Sequence, residues 1–293
     1  MIATPGSPGP PSVCPVTRTR WHLPIDGAVN LRDVGGLPCR GGGSTRHGVL
    51  LRSGTLRLLT EADAGRADDR PRRRTVVDLR TARELAVDGP SVLARAGAAT
   101  VHLPVARDNR PALPESADPD APTAALARTY RQYLDERGHH IATAARLVAV
   151  SDRAVLLQCA AGKDRTGVTV ALLLDAVGVE RSAVVADYTA TNDVIEEVVR
   201  ALVAAQGYTR EIEGADLDAH RARPRVLGDL LDGVDREYGG GAAWLRTHGL
   251  TDPELVALRR RLVRFPAVRP GSGGPVAEPP RTAGHTPSSP PSR

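Results

Sequence analysis

Aromatic side chains are scarce: one Phe, two Trp and five Tyr among 293 residues. Proteins that grip single-stranded nucleic acid stack bases on aromatics interleaved along a basic groove, and eight rings spread over this chain offer no such platform. The formal charge of +5 supplies no basic footprint either. Arg18 and Arg20 give residues 1–20 a charge of +2, and Arg269, Arg281 and Arg293 against Glu278 give residues 268–293 another +2, which leaves +1 for everything between. The Pro71-Arg72-Arg73-Arg74 run directly precedes an apolar stretch and reads as a solvated turn. Cysteine is sparse as well. Cys14, Cys39 and Cys159 are odd in number and lack paired spacing, which argues against a disulfide framework and for a reducing compartment. Long apolar runs are missing: Val168–Leu174 is stopped by Asp175, far short of a bilayer span. The N-terminal stretch has Pro and Gly where a secretory peptide needs an apolar centre. The expectation is a cytoplasmic protein with no stable membrane anchor and no nucleic-acid partner.

What is present is organised in the middle of the chain. Residues 1–20 and 268–293 are rich in Pro, Gly, Ser and Thr with little to bury, and are expected to be disordered tails around one domain over residues 21–267. That domain is large enough for a single well-covered core. Short apolar runs at Gly48–Leu51, Thr75–Leu79, Thr100–Val105 and Ala154–Gln158 read as strands. Helical periodicity is good in Ala124–Arg137, Ile141–Val150, Arg181–Ala205, Arg225–Tyr238 and Glu254–Val263. Thr60 with Asp63, and Thr81 with Glu84, have capping-box spacing at helix starts. Strands alternating with helices predict an α/β fold with a mostly parallel central sheet flanked by helices.

Residues 154–167 carry the chemistry: Ala-Val-Leu-Leu-Gln-Cys-Ala-Ala-Gly-Lys-Asp-Arg-Thr-Gly. A strand ends at a thiol, Cys159; five residues follow, and then Arg165 opens a helix. A loop that leads into a helix start presents backbone N–H groups to a central point, and the helix dipole makes that point attractive to a dianion. The same field favours a thiolate, the reactive form of cysteine. The planar fork of Arg165 is suited to holding two phosphate oxygens. Gly162 supplies a backbone conformation that other residues adopt at a cost. The Gly-Lys pair at 162–163 also suggests a nucleotide-binding loop, but Leu157 stands where that motif requires glycine and Asp164 where it requires a magnesium-binding hydroxyl, so this alternative fails.

The loop and its surroundings resemble the protein-tyrosine phosphatase superfamily, and more closely the bacterial branch whose loop reads His-Cys-x-Ala-Gly-Lys-Asp-Arg-Thr-Gly. Further landmarks are Asn30-Leu31-Arg32-Asp33-Val34-Gly35-Gly36, Leu51-Arg52-Ser53-Gly54, Val77-Asp78-Leu79-Arg80 with Glu84, and Asp187-Tyr188. They fall in the branch's order and span roughly residues 27–264. The departure is Gln158, which stands where the family usually has a histidine that helps order the loop.

The resemblance implies a cysteine-dependent phosphomonoesterase working through a thiophosphate intermediate, without cofactor or metal, on phosphorylated proteins or phosphoinositides. Cys159 would be the nucleophile and Arg165 the phosphate ligand. Ala160, Ala161, Gly162, Lys163 and Thr166 would complete the substrate cradle, with the Thr166 hydroxyl on the cysteine sulfur or capping the helix. Lys163 adds a point charge near the mouth unless it faces solvent. The general acid is Asp164 within the loop, as in the closer branch, ahead of Asp108 on a separate loop, as in the wider superfamily. Asp78 at the sheet edge either orients Arg165 or water, or is a buried carboxylate paired with Arg80. Asn30, Arg32 and Asp33 are placed near the site in a structural role, against a plain turn held by local hydrogen bonds. His139-His140 suggests no metal site, since adjacent positions on a helix are expected to point apart. The competing reading, prompted by Gln158, is a phosphate-binding module that has lost turnover. A sulfurtransferase is disfavoured because Arg165-Thr166 complete the phosphatase form.

Overall fold

A computed structural model of the chain describes residues 27–57, 59–60, 74–108, 120–204 and 217–265. The two expected tails, most of the arginine run at 71–74 and Asp63 of the first expected capping box lie outside the described residues. Strands β1 (Arg32–Asp33), β3 (Leu50–Ser53), β4 (Arg74–Asp78), β5 (Ala99–His102) and β6 (Ala154–Gln158) form one sheet in the order β1-β3-β6-β4-β5. A small pair, β2 (Ser44–Thr45) with β7 (Val263–Arg264), is antiparallel. In the main sheet only the β1 edge is antiparallel; β3, β6, β4 and β5 run parallel. The chain therefore has an α/β fold with a mostly parallel central sheet.

β6 lies at the centre, and its side chains alternate between two cores as the strand period requires. Val155 and Leu157 join the larger core. Leu156 joins a smaller one with Leu51, Val76, Val92 and Leu93. The larger core is built by α3 (Ala121–Val150), α4 (Asp164–Ala176), α8 (Pro224–Tyr238), α9 (Gly241–Thr247) and α10 (Asp252–Leu262). The smaller core is covered by α2 (Val92–Arg95), just after α1 (Ala82–Asp88). α4 is buried from Thr166 to Asp175, which explains why its sequence is apolar on every face.

The helix expected over 181–205 is broken. α5 (Arg181–Thr189) passes through a 3₁₀ turn (Ala190–Val194) into α6 (Ile195–Ala204). Thr191 and Asn192 cause the change, since both spend their side chains away from the helix: Thr191 Oγ1 accepts from Asn30 and Arg32, and Asn192 clasps the backbone of Ala222. Conversely, the two helices expected at 124–137 and 141–150 run as one, with a kink where Arg137 leaves helical geometry. That kink also corrects the expectation for His139 and His140. Their rings lie 4.2 Å apart instead of diverging, with His140 Nδ1 bonded to the Pro104 carbonyl oxygen at 2.7 Å. The short α7 (Leu217–His220) comes just before Ala222 and leads into α8.

Candidate active site

The carboxyl end of a central parallel strand is where ligands meet an open α/β sheet, and β6 delivers Cys159 there. The turn from β6 into α4 must reverse the chain within residues 159–163. Gly162 makes this possible with φ of +69°. A Cβ at that position would lie 2.4 Å from the Gly54 nitrogen and 2.5 Å from the Ser53 carbonyl carbon, so the loop rests directly on the backbone that follows β3. No other residue type fits without moving one of the two chains.

Three consecutive carbonyls of the loop are tied outward. Ala160 O accepts from Thr55 N at 2.7 Å, Ala161 O from Asn30 Nδ2 at 3.0 Å, and Gly162 O from Arg52 Nη2 at 2.8 Å. In a trans peptide the C=O and the following N–H point in opposite directions, so these anchors turn the N–H groups of Ala161, Gly162 and Lys163 inward. The Gly162 N–H indeed points at Cys159 Sγ, 3.2 Å away. Lys163 occupies the N-cap position of α4 without a side-chain cap, leaving the first-turn amides of the helix on the same side. The result is a nest of donors with a buried thiol at its base.

The anchors are themselves held by a buried ion cluster. Asp187 on α5 takes Arg32 Nε on one carboxylate oxygen at 3.0 Å and Arg52 Nη1 on the other. Arg32 also donates to Asp187 O and Thr191 Oγ1, and makes a short contact to the Asn30 side-chain oxygen. Asn30 is the one described residue other than glycine with positive φ, at 55°, which suits its local side-chain bonding. Burial works against the Asp187 carboxylate, but Arg32 and Arg52 together hold it below the usual aspartate range. Arg32 is pulled down to about 10, first by burial and then by Arg52 beside it. Asn30 supports the loop directly and Arg32 supports it through Asn30 and Asp187, whereas Asp33 holds a local turn by accepting from Gly35 N at 2.9 Å and Gly48 N at 2.8 Å.

Arg165 is gripped by the capping glutamate of α1, which is also one of the landmarks that carry the family resemblance. Glu84 on α1 faces it as a bidentate partner, with Nη2 to Oε1 at 2.8 Å and a shorter contact between Nη1 and Oε2. Burial opposes the charge on Arg165, yet Glu84, then Cys159 and Tyr133, raise it well above the ordinary arginine value. Glu84 responds in kind: burial alone would raise it, but Arg165 and the cap bonds with Thr81 bring it below the usual glutamate range. The capping box expected at Thr81 is present, and it fixes the glutamate that aims the arginine.

Asp78 does not orient Arg165. It pairs with Arg80, at 2.7 Å, and accepts from Gln158 Nε2 at 2.9 Å. Gln158 leaves β6 on the face of Leu156, opposite Leu157, so its side chain serves the strand pair β4–β6 and not the loop. Lys163, the only lysine in the chain, does not face solvent: it is buried, with Nζ on the His220 carbonyl oxygen at 2.6 Å and 3.7 Å from Asp164 Oδ1. Asp164 Oδ1 also accepts from the Tyr130 hydroxyl at 2.7 Å, which in turn meets the Tyr188 hydroxyl at 2.7 Å. Asp108 sits at the solvent surface and accepts from Arg83 N at 2.9 Å, a second cap on α1 that draws its carboxyl below the usual range. Thr166 does not cap α4; its hydroxyl is buried and has no hydrogen-bond partner among the described residues. Among those residues no cluster of three or more His, Cys, Asp or Glu could hold a metal ion, and no helix is long and apolar enough to cross a membrane.

A tyrosine phosphatase family model matches residues 23–264, a stretch that contains every element just described. The chain belongs to the tyrosine phosphatase family. It is 30% identical over 279 residues to the triple specificity protein phosphatase PtpB of Mycobacterium tuberculosis, an alignment covering 80% of this chain and 96% of that protein. It is 32% identical over 125 residues to a tyrosine-protein phosphatase of Nostoc commune, covering 40% and 42% of the two chains. The protein is accordingly a protein-tyrosine phosphatase, with the α/β architecture that the sequence pattern implies.

Proposed function

We propose that this phosphatase works by covalent catalysis at Cys159, and the observation that carries the reading is the donor nest around its sulfur. The thiolate attacks phosphorus in line; the S–P bond forms as the P–O ester bond breaks. Arg165, aimed by Glu84, takes two equatorial oxygens, and the inward N–H groups of the loop take the third. Asp164 gives its proton to the departing oxygen, and its carboxylate then accepts a proton from the water that attacks phosphorus and releases the cysteine. The unpartnered Thr166 hydroxyl supports a role on the sulfur as that bond breaks. Lys163, clamped beside Asp164, sets charge at the mouth of the cradle. Free, buried Cys39 and Cys159 support the reducing compartment expected for such chemistry.

Phosphotyrosine is the primary substrate in this reading. The likeness to a triple specificity phosphatase supports extension to phosphoserine and phosphothreonine, and the Lys163–Asp164 pair supports phosphoinositide headgroups. The alternative of an inactive phosphate-binding module loses its motive, because Gln158 points away from a loop that Asn30, Thr55 and Arg52 already hold. The test is Cys159→Ser: turnover of p-nitrophenyl phosphate should vanish while vanadate still binds, since no base stands ready to ionise a serine. Residual activity within tenfold of the parent would sink the assignment.

A further inference from the structure

The mechanism makes no use of the polar pocket behind β6. This cavity of about 220 Å³ lies at the carboxyl ends of β3, β4 and β6, and its wall includes Arg57, Arg80, Arg95, Asp88 and Gln158. Three guanidinium groups face Asp88 in the wall and Asp78 behind Arg80, which leaves an excess of one positive charge. Asp88 is already shared, with Arg57 Nη1 at 3.3 Å and Arg80 Nη1 at 3.2 Å. Arg80 is otherwise spent on Asp78 and the Gly89 carbonyl. Arg95 uses one nitrogen on Pro90 O. The remaining guanidinium N–H groups of Arg57 and Arg95 make no hydrogen bond within the described structure.

Gln158 adds a second, independent requirement. Its side chain is buried, its Nε2 is committed to Asp78, and its Oε1 is a buried acceptor with no partner among the described residues. An unmet buried acceptor is costly. A ligand that suits this wall must bring negative charge for the arginines and, on the same small molecule, a proton to donate to Oε1. Sulfate has no such proton at neutral pH. A phosphate monoester has little, since its second ionisation lies near pH 6. Orthophosphate keeps at least one P–OH. The volume also favours a small ion, being below the roughly 300 Å³ at which clefts begin to hold drug-sized molecules.

We infer that this pocket is a second, non-catalytic site for orthophosphate, with Arg57 and Arg95 taking its charge and Gln158 Oε1 accepting its P–OH. Orthophosphate is the product of phosphomonoester hydrolysis, so the site reads product at the residue that immediately precedes Cys159. It stands apart from the roles proposed for the loop, and can be tested apart from them.

The experiment is calorimetric titration of the full chain at pH 7 with sodium phosphate and, separately, sodium sulfate. The parent should bind two phosphates. Arg165→Met, which removes the loop site, should bind one, and bind sulfate at least tenfold more weakly. The double variant Arg57→Ala/Arg95→Ala, at exposed positions, should also bind one phosphate, displaceable by vanadate. Two phosphates on Arg165→Met together with one on the double variant would uphold this site and count against the loop reading instead. Two phosphates on the double variant, none on Arg165→Met, or equal affinity of Arg165→Met for sulfate and phosphate would each overturn the inference.

Discussion

Replacing Glu84 by Gln tests how the site is aimed without touching a group that meets substrate. In the parent, Glu84 presents two carboxylate oxygens to the Arg165 fork, and one of them also accepts from Thr81 N. The amide keeps one acceptor. It places an NH₂ where the other oxygen stood, facing either Arg165 Nη2 or both Arg165 Nη1 and the Thr81 amide, all of which are donors. At least one charge-assisted bond is lost, worth about 1.5–3 kcal/mol. Both side chains are largely buried, at 11% and 15% exposure, so solvent recovers little of the loss.

A bound phosphate restores counter-charge to Arg165 but not its orientation. Taking about 2 kcal/mol as the share felt at the transition state, kcat/KM should fall roughly 30-fold. The assay is initial rates on a phosphotyrosine peptide and on p-nitrophenyl phosphate, both of which need the fork and should fall alike. The pH dependence supplies a check on cause. Glu84 is held below the usual glutamate range, so its contribution is complete above the unfolded value and is lost as pH falls through the lower folded value. Stability of the parent should therefore decline in acid below the ordinary glutamate range, and Glu84→Gln should lack that component. A kcat/KM within twofold of the parent would refute the reasoning, as would a loss confined to one of the two substrates.

Arg165→Lys keeps the charge and discards the fork; we expect a rate loss of two orders of magnitude or more, about 3 kcal/mol, and an unchanged rate would show that Arg165 is not a phosphate ligand. Asp164→Asn should slow phosphotyrosine peptides much more than p-nitrophenyl phosphate, whose leaving group departs without a proton, while Asp108→Asn should leave that ratio nearly intact; the reverse pattern would move the acid to Asp108. Gly162→Ala puts a methyl group into the Ser53–Gly54 backbone and strains a φ of +69°, so thermal melting should fall along with turnover, and a variant with parental melting and rate would show that the loop is not seated as described.

Much of this architecture was legible in the residue pattern because its signals are local. β6 runs from Ala154 to Gln158 as its apolar run implies, and the strands at 74–78 and 99–102 overlap their expected positions. The loop showed itself through Gly162 and the Cys159–Arg165 spacing. Glu84 was legible as half of a capping box and as a family landmark, but nothing in local spacing reveals that a helix start 81 residues away will face Arg165. Asp78 was harder. A carboxylate at the end of a strand beside the nucleophile's strand invites a role in the site, but strand alternation turns it toward Gln158 and Arg80 on the other face. Tyr130 lay hidden in helical periodicity, where a buried tyrosine looks like core; its partner Asp164 lies on a different helix. The break at 190–194 required knowing that Thr191 and Asn192 would find distant partners.

The buried ion cluster explains why so much charge is sunk behind a short loop. Two buried arginines on one buried aspartate leave an excess positive charge in the interior, an arrangement that is unfavourable for the free protein. The strain shows in Arg32, pulled down to about 10 by burial and by Arg52. Yet Arg52 also holds the Gly162 carbonyl, and Gly162 N–H is the donor at Cys159 Sγ. The excess charge thus lies directly behind the nest where a thiolate and then a phosphoryl dianion would reside. Field strength falls slowly in a dry interior, so a cation fixed there acts on the reacting centre without having to move as charge develops. A neutral replacement for Arg52 would remove both the Gly162 carbonyl anchor and part of the field, and would leave a buried oxygen of Asp187 without its partner. The cost of burying the pair and the readiness of the loop for a dianion have the same origin.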